Sequence, residues 1–284
     1  MFPKAIGLEL ATASRGEGMY IFDSTGKKYL DAVSGGVVAS SLGHSHQGVI
    51  DAAKVQLETL PWVHGLSFTS DPAEELAELL TKDAPRDLEK VFFTCGGSEA
   101  VEVSAFLAIQ HFYELGLSDK RLFISREGSF HGGTMVAMAL GDLQTRRQSI
   151  ERVAMDIPRI PPCYSYRNQR SDESEVDYGI RAANELEEEI LRQGPENVAA
   201  FFAETITGMV TGILVPSEGY FKRIREICDK YDVLMILDEV QCGMGRTGAL
   251  YTCDQEGVSP DMITLAKAIG GGYLPLGATI ASNK

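Results

Sequence analysis

Long apolar runs are missing from this sequence. No stretch approaches the ~20 consecutive apolar residues that cross a bilayer, so no membrane partner is expected. An excess of positive charge is missing too. The formal net charge is −14, which argues against nucleic acid or an anionic lipid surface as a partner. Cysteine is scarce: the five residues, at 95, 163, 228, 242 and 253, are odd in number and form no C-x-x-C pair. They are expected to be reduced thiols in a cytoplasmic setting, with neither a disulfide frame nor a zinc site. The opening residues Met1–Glu9 lack the apolar core of a signal peptide. Internal repeats and low-complexity tracts are likewise absent.

What is present is an alternation of short apolar segments and helical patterns. The pieces Met19–Asp23 and Lys28–Asp31 flank Ser24-Thr25-Gly26, which reads as a β-hairpin. Helices are predicted over His46–Thr59, Pro72–Leu80, Glu99–Leu115, Tyr178–Gln193 and Gly219–Tyr231. In the last, Phe221, Ile224, Cys228 and Tyr231 recur at helical spacing. Strands are predicted at Val91–Phe93, Leu122–Ile124, Val198–Phe202, Leu234–Leu237, Met262–Leu265 and Ala278–Ile280. Strands apolar throughout, alternating with helices, imply an α/β fold whose mainly parallel sheet is covered on both faces. Residues 141–177 hold three prolines and read as a long loop with short structured pieces.

One lysine carries the strongest chemical signal. Lys267 sits in Thr264-Leu265-Ala266-Lys267-Ala268-Ile269-Gly270-Gly271-Gly272, with apolar chain before it and three glycines after it. Desolvation lowers a lysine's pKa and makes its amine a nucleophile able to condense with an aldehyde. Upstream, the strand Leu234–Leu237 ends in Asp238, a position at which an open α/β sheet places its site. A carboxylate there can pair with a pyridinium nitrogen, or it can simply be satisfied by loop N–H groups. Glu239 and Gln241 follow at the same mouth.

Two further segments each carry two readings. Thr94-Cys95-Gly96-Gly97-Ser98-Glu99-Ala100 joins a strand to a helix. It can cradle a phosphate on free N–H groups with Ser98 adding a hydroxyl, or be an ordinary turn with Ser98 as the helix cap. In Ser129-Phe130-His131-Gly132-Gly133-Thr134, Phe130 can stack on a flat ring, or be a buried loop aromatic beside a hydrogen-bonded His131. Other patterns mislead. Gly243-Met244-Gly245-Arg246-Thr247-Gly248 matches a dinucleotide fingerprint but does not open a helix. Leu234–Glu239 looks like the magnesium strand of an ATPase, yet the sequence has no G-x-x-x-x-G-K-[ST]. His44-Ser45-His46 lacks a third metal ligand and suits a helix cap or a solvent-facing position. Glu185–Glu189 reads as a solvated helix face with Leu186 and Ile190 turned inward, and Trp62 as either pocket lining or core.

Taken together, Gly97–Ala100, Ser129–Gly132, Leu237–Gln241, Gly245–Gly248 and Leu265–Lys267 with Gly270–Gly272 resemble the class III (omega-type) aminotransferases dependent on pyridoxal 5′-phosphate (PLP). Gly26–Asp31 and Leu42–His46 fit the same family, so the resemblance covers essentially the whole chain. It implies the type I fold of PLP-dependent transferases, with residues 1–45 forming the N-terminal part of a small domain and 46–284 the large, PLP-binding domain. By that resemblance Lys267 is the Schiff-base lysine and, freed by the substrate amine, the proton-transfer base. Asp238 partners the pyridine nitrogen. Gly97 and Ser98 bind the phosphate, and Phe130 stacks on the ring where the family often has tyrosine, with His131 beside it. Val240 packs on the opposite ring face, Gln241 lies near the phenolic oxygen, and Glu204, near the site, counts among the cofactor-binding residues. Thr205–Val210 departs from the glycine-rich doublet that often follows that glutamate.

The implied reaction moves an amino group from an amine or amino acid to a keto acid or aldehyde, in a homodimer. Family members continue beyond the equivalent of Lys284, so the resemblance implies a C-terminally truncated chain without the C-terminal small domain. Its cross-subunit phosphate contact and its substrate carboxylate-binding arginine would then lie outside the sequence, and the chain alone is expected to be poorly active. Other PLP chemistry on the same fold (an aminomutase or a decarboxylase), or a non-catalytic fragment, stays open at this stage.

Overall fold

Alternating side chains on either side of a tight turn build the first element group. In the computed structural model, which describes residue 7 and residues 9–85 and 87–283, β1 (Ala13–Glu17), β2 (Tyr20–Asp23) and β3 (Lys28–Leu30) form an antiparallel sheet in that order. The turn between β2 and β3 is closed by Asp23. Its carboxylate accepts from Thr25 N, Thr25 Oγ1 and Lys27 N at 2.9, 2.7 and 3.0 Å and from the Tyr29 hydroxyl at 2.8 Å. Helix α1 (Gln47–Thr59) follows, with His46 at its N-cap. The His44 ring is engaged by Asp31 at 2.8 Å. Trp62 is 75% exposed, with the His64 ring edge-on to it, so it is not part of a core.

The described residues divide into two compact units. The first runs to Phe68 and includes Gly270–Leu274; the second comprises Thr69–Ile269 and the chain from Pro275. The division among the described residues falls after Phe68. Within the first unit, the Tyr273 hydroxyl accepts from His46 N at 2.6 Å and donates to Gly43 O at 2.8 Å.

The second unit holds α2 (Asp71–Lys82), β4 (Leu88–Thr94), α3 (Gly97–Glu114), β5 (Leu122–Arg126), α4 (Met135–Leu140), α5 (Gln144–Ile150) and β6 (Arg159–Ile160). It continues with α6 (Ser165–Asn168), α7 (Glu175–Gln193), β7 (Val198–Glu204), α8 (Tyr220–Tyr231), β8 (Leu234–Asp238), β9 (Met262–Leu265) and β10 (Gly277–Ser282). The strands form one seven-stranded sheet in the order β4-β10-β9-β8-β7-β5-β6. β9, β8, β7, β5 and β6 pair in parallel, as their uniformly apolar strands imply. All seven residues of β7 and all five of β8 are buried. Their alternation separates two cores. Phe201, Ala203, Met235 and Leu237 pack with α7 and α8, while Ala200, Phe202, Leu234 and Ile236 pack with α3 and α4.

Two features add detail to the sequence reading and a third departs from it. β10 is antiparallel to both β4 and β9. Residues 266–276 contain no crossover helix, and a short return can only lay the next strand antiparallel beside the last. Within residues 141–177, β6 adds a strand too short to show periodicity. The acidic run on α7 is not uniformly solvated. Leu186 and Ile190 do point inward, but Glu189 is buried and paired with Arg192, and Glu187 binds Arg223, Lys230 and Tyr231.

A buried lysine locks the layers together. Lys120 Nζ donates to the carbonyls of Pro195, Val198 and Tyr231, each at 3.1 Å, and lies 4.9 Å from the Phe112 ring centroid. One cation thereby satisfies the start of β7 and the end of α8. Lys120→Met keeps the apolar stem and strands three carbonyls. It is expected to lower unfolding free energy by about 3 kcal/mol, read from the midpoint of urea denaturation at unchanged slope.

Candidate active site

Parallel strands deliver their carboxyl ends to one edge of the sheet, and that edge collects the chemistry. Glu204 ends β7 and Asp238 ends β8, directly opposite one another in the parallel register. Period two sets both side chains on the face covered by α3, in line with Phe202 and Ile236. Asp238 is buried. One carboxylate oxygen lies 2.8 Å from His131 Nδ1 and the other accepts from Val240 N at 3.0 Å. His131 follows β5 and rests against Phe202, with ring centroids 6.5 Å apart. Of the two sequence readings of Asp238, satisfaction by a loop N–H is seen at one oxygen, while the other oxygen meets the His131 ring. Among the described residues His131 Nε2 is buried without a partner.

Glu204 accepts from Phe130 N at 3.3 Å and from Gly208 N at 3.2 Å. Burial raises its pKa, and the neighbouring Asp238 adds to the rise, against the pull of His131 and Arg126. Arg126, at the end of β5, is buried and donates to the Glu204 carbonyl. No motif marks this residue, and only its strand-end position could have flagged it. Glu239 faces away from this group. Its carboxylate accepts from Thr252 N and Cys253 N, both at 2.7 Å, and from Thr205 Oγ1 at 3.0 Å. It holds the chain after the Gly243–Gly248 turn, and the sequence expectation that it shares the mouth with Asp238 is corrected by these partners. That turn is a tight reversal, with Met244 N bonded to Leu250 O and Gly245 N to Ala249 O, and opens no helix.

The anion end is built by α3. Its cap residue is Gly96 and no side chain caps it, so Ser98 is not the N-cap. Instead Ser98 Oγ accepts from Gly133 N at 2.9 Å, which leaves its own proton available beside the helix's first N–H groups. Two glycines are sterically required. A Cβ on Gly97 would lie 2.9 Å from Val240 Cγ1, and one on Gly132, whose φ is +141°, would lie 2.5 Å from Ser98 Oγ. Phe130 is half-buried, with the Arg146 guanidinium 5.4 Å from its ring centroid. Val240 and Gln241 are half-buried in the turn after β8.

Lys267 lies two residues past the end of β9 and is partly buried. Burial lowers its pKa, opposed by the charges of Asp238 and Glu204. Its backbone is left-handed, φ +51°, an arrangement that costs a non-glycine residue about 1–3 kcal/mol and collects at functional sites. The structure thus brings a desolvated amine, an oriented carboxylate and an open helix N-terminus to one strand edge.

The sequence matches the family described as Aminotransferase class-III over residues 4–284. The chain belongs to the class III aminotransferases. Enzymes of this family use PLP. Among similar proteins, an uncharacterized aminotransferase of Schizosaccharomyces pombe is 40% identical over 96% of the chain and 60% of its own length. A gamma aminobutyrate transaminase of Solanum lycopersicum is 37% identical, over 97% and 53%. An omega transaminase from Pseudomonas jessenii, solved in complex with PMP, superposes with a TM-score of 0.94 at 36% identity, covering 99% of this chain and 63% of that one. This class III chain therefore spans a little over half of the relatives it matches.

Because Gly97 packs directly on Val240, Gly97→Ala must displace a branched side chain of the same site. The expected loss is about 1–3 kcal/mol, seen as a lowered thermal midpoint.

Proposed function

We propose that the chain forms the cofactor-holding core of a PLP-dependent transaminase that moves an amino group from an amine or amino acid to a keto acid or aldehyde. The observation that carries this reading is the convergence of Lys267, Asp238 and the α3 N-terminus on one sheet edge. The chemistry of the donor set fits PLP. The N–H groups at the start of α3 and the Ser98 hydroxyl suit a phosphate dianion. The buried Asp238 carboxylate, held by His131, suits a protonated ring nitrogen. Phe130 and Val240 supply apolar surface for a flat ring, and Gln241 a polar group beside Val240. When bound, PLP supplies an electrophilic carbonyl and an electron-withdrawing ring.

The residues divide the work. Lys267 Nζ, whose pKa burial lowers, would supply the nucleophilic amine and would take and return a proton. Asp238 would place its carboxylate where a cation must be stabilised, and His131 fixes its orientation. We further propose that the protein works as a homodimer. The exposure of Phe106 (62%) and Tyr113 (67%) on one side of α3 supports an apolar contact between copies.

Titration of the protein with PLP tests the reading. A visible absorbance band should appear and, after borohydride reduction, the cofactor mass should map to Lys267; Lys267→Ala should lose both. A band of full strength in Lys267→Ala would sink the assignment. The rate of band formation should rise with pH as the amine loses its proton. Because burial lowers this lysine's pKa, the plateau should be reached below the ordinary lysine value.

A further inference from the structure

Glu204 is the one member of the strand-end group whose carboxylate is wholly engaged by backbone. One oxygen accepts from Phe130 N at 3.3 Å, in the loop after β5. The other accepts from Gly208 N at 3.2 Å, in the loop after β7. The Arg126 guanidinium secures the same residue through its carbonyl, so Glu204 is tethered at its main chain and at its side chain. Gly208 in turn is the surface on which Gln241 lies. A Cβ there would be 2.2 Å from Gln241 Oε1, 2.4 Å from Cδ and 2.5 Å from Nε2.

We propose that Glu204 is a positioning residue: its carboxylate clamps two loops, one presenting the Phe130 ring and the other supporting the Gln241 amide. The proposal rests on the PLP reading for its purpose, but the clamp itself is a property of the chain. A carboxylate suits the task because it offers acceptors on two divergent oxygens, and loop N–H groups inside a protein must find acceptors. The sequence resemblance placed Glu204 among the cofactor-binding residues. The geometry assigns it instead to the backbone behind them, so that its removal loosens both the ring face and the amide without deleting either. The Thr205–Val210 segment, which departs from the family's glycine pattern, keeps a glycine at 208, where the Gln241 amide leaves no room for a side chain.

Two substitutions separate these effects. Glu204→Gln is isosteric, but it places an NH₂ against one of the two N–H groups. Gly208→Ala displaces the flexible Gln241 amide and leaves the carboxylate in place. Amide hydrogen exchange of the cofactor-free protein is the first readout. In Glu204→Gln, peptides containing Phe130 and Gly208 should exchange about tenfold faster, while α7 and α8 keep wild-type protection. The second readout is PLP binding. Affinity should fall about tenfold, and the visible circular dichroism of the bound cofactor should weaken. Gly208→Ala should weaken that dichroism too, yet leave protection at Phe130 unchanged. Wild-type exchange at Phe130 and Gly208 in Glu204→Gln overturns the clamp. So does wild-type dichroism and affinity in both variants. Should Glu204→Gln fail to fold, loss of Phe130 protection in Gly208→Ala would overturn the separation of the two loops. If the wild-type protein shows no Lys267-dependent band, the PLP reading falls, while the exchange data still decide the clamp.

Discussion

A carboxylate withdrawn from water must be given donors, and this constraint organises the edge of the central sheet. Glu204, Asp238 and Glu239 are all buried at the ends of two adjacent strands. Each recruits a different part of the chain: Glu204 the loops after β5 and β7, Asp238 the His131 ring and the turn after β8, Glu239 the segment at Thr252–Cys253. Three acids placed close together would repel one another if left bare. Hydrogen bonded in this way, they act as ties that give otherwise irregular loops a single arrangement. The low-dielectric strand edge that these ties create is also what shifts the Lys267 amine away from ordinary lysine behaviour.

Much of this was legible beforehand, for physical reasons specific to certain residues. The unbroken apolar character of Val198–Phe202 and Leu234–Leu237 announced strands buried on both faces, and β7 and β8 are so. The apolar and glycine flanks of Lys267 announced a desolvated amine. The Gly96–Gly97 pair announced a close approach, though its partner, Val240, lies far away in sequence and has no local signature. Less could be read where long-range pairing decides. The antiparallel setting of β10 depends on the length of a connection. The two-residue β6 carries no pattern at all. Arg126 and Lys120 look like surface cations in sequence, and only the closed fold shows that backbone carbonyls surround their charges.

The same comparison separates two kinds of acid. By residue type Glu239 and Asp238 are indistinguishable candidates, one position apart. Asp238 ends β8 and meets His131, while Glu239, the first residue past the strand, holds the chain at Thr252–Cys253. A motif read as a string assigns such a pair to one mouth; their partners separate them.

The left-handed backbone at Lys267 carries one more implication. Its side chain leaves the main chain in a direction that a right-handed residue in the same place would not give, and β9 is pinned on both sides, by β8 and by β10. β9 is buried on both faces, with Ile263 and Leu265 in one core and Met262 in the other, so a slip of one residue would exchange the side chains that fill the two cores, and the lysine is not relocated by small shifts of register. Insertions in the surface loops of this domain leave the amine where it is; a single residue gained or lost between Met262 and Lys267 would change the direction in which it points.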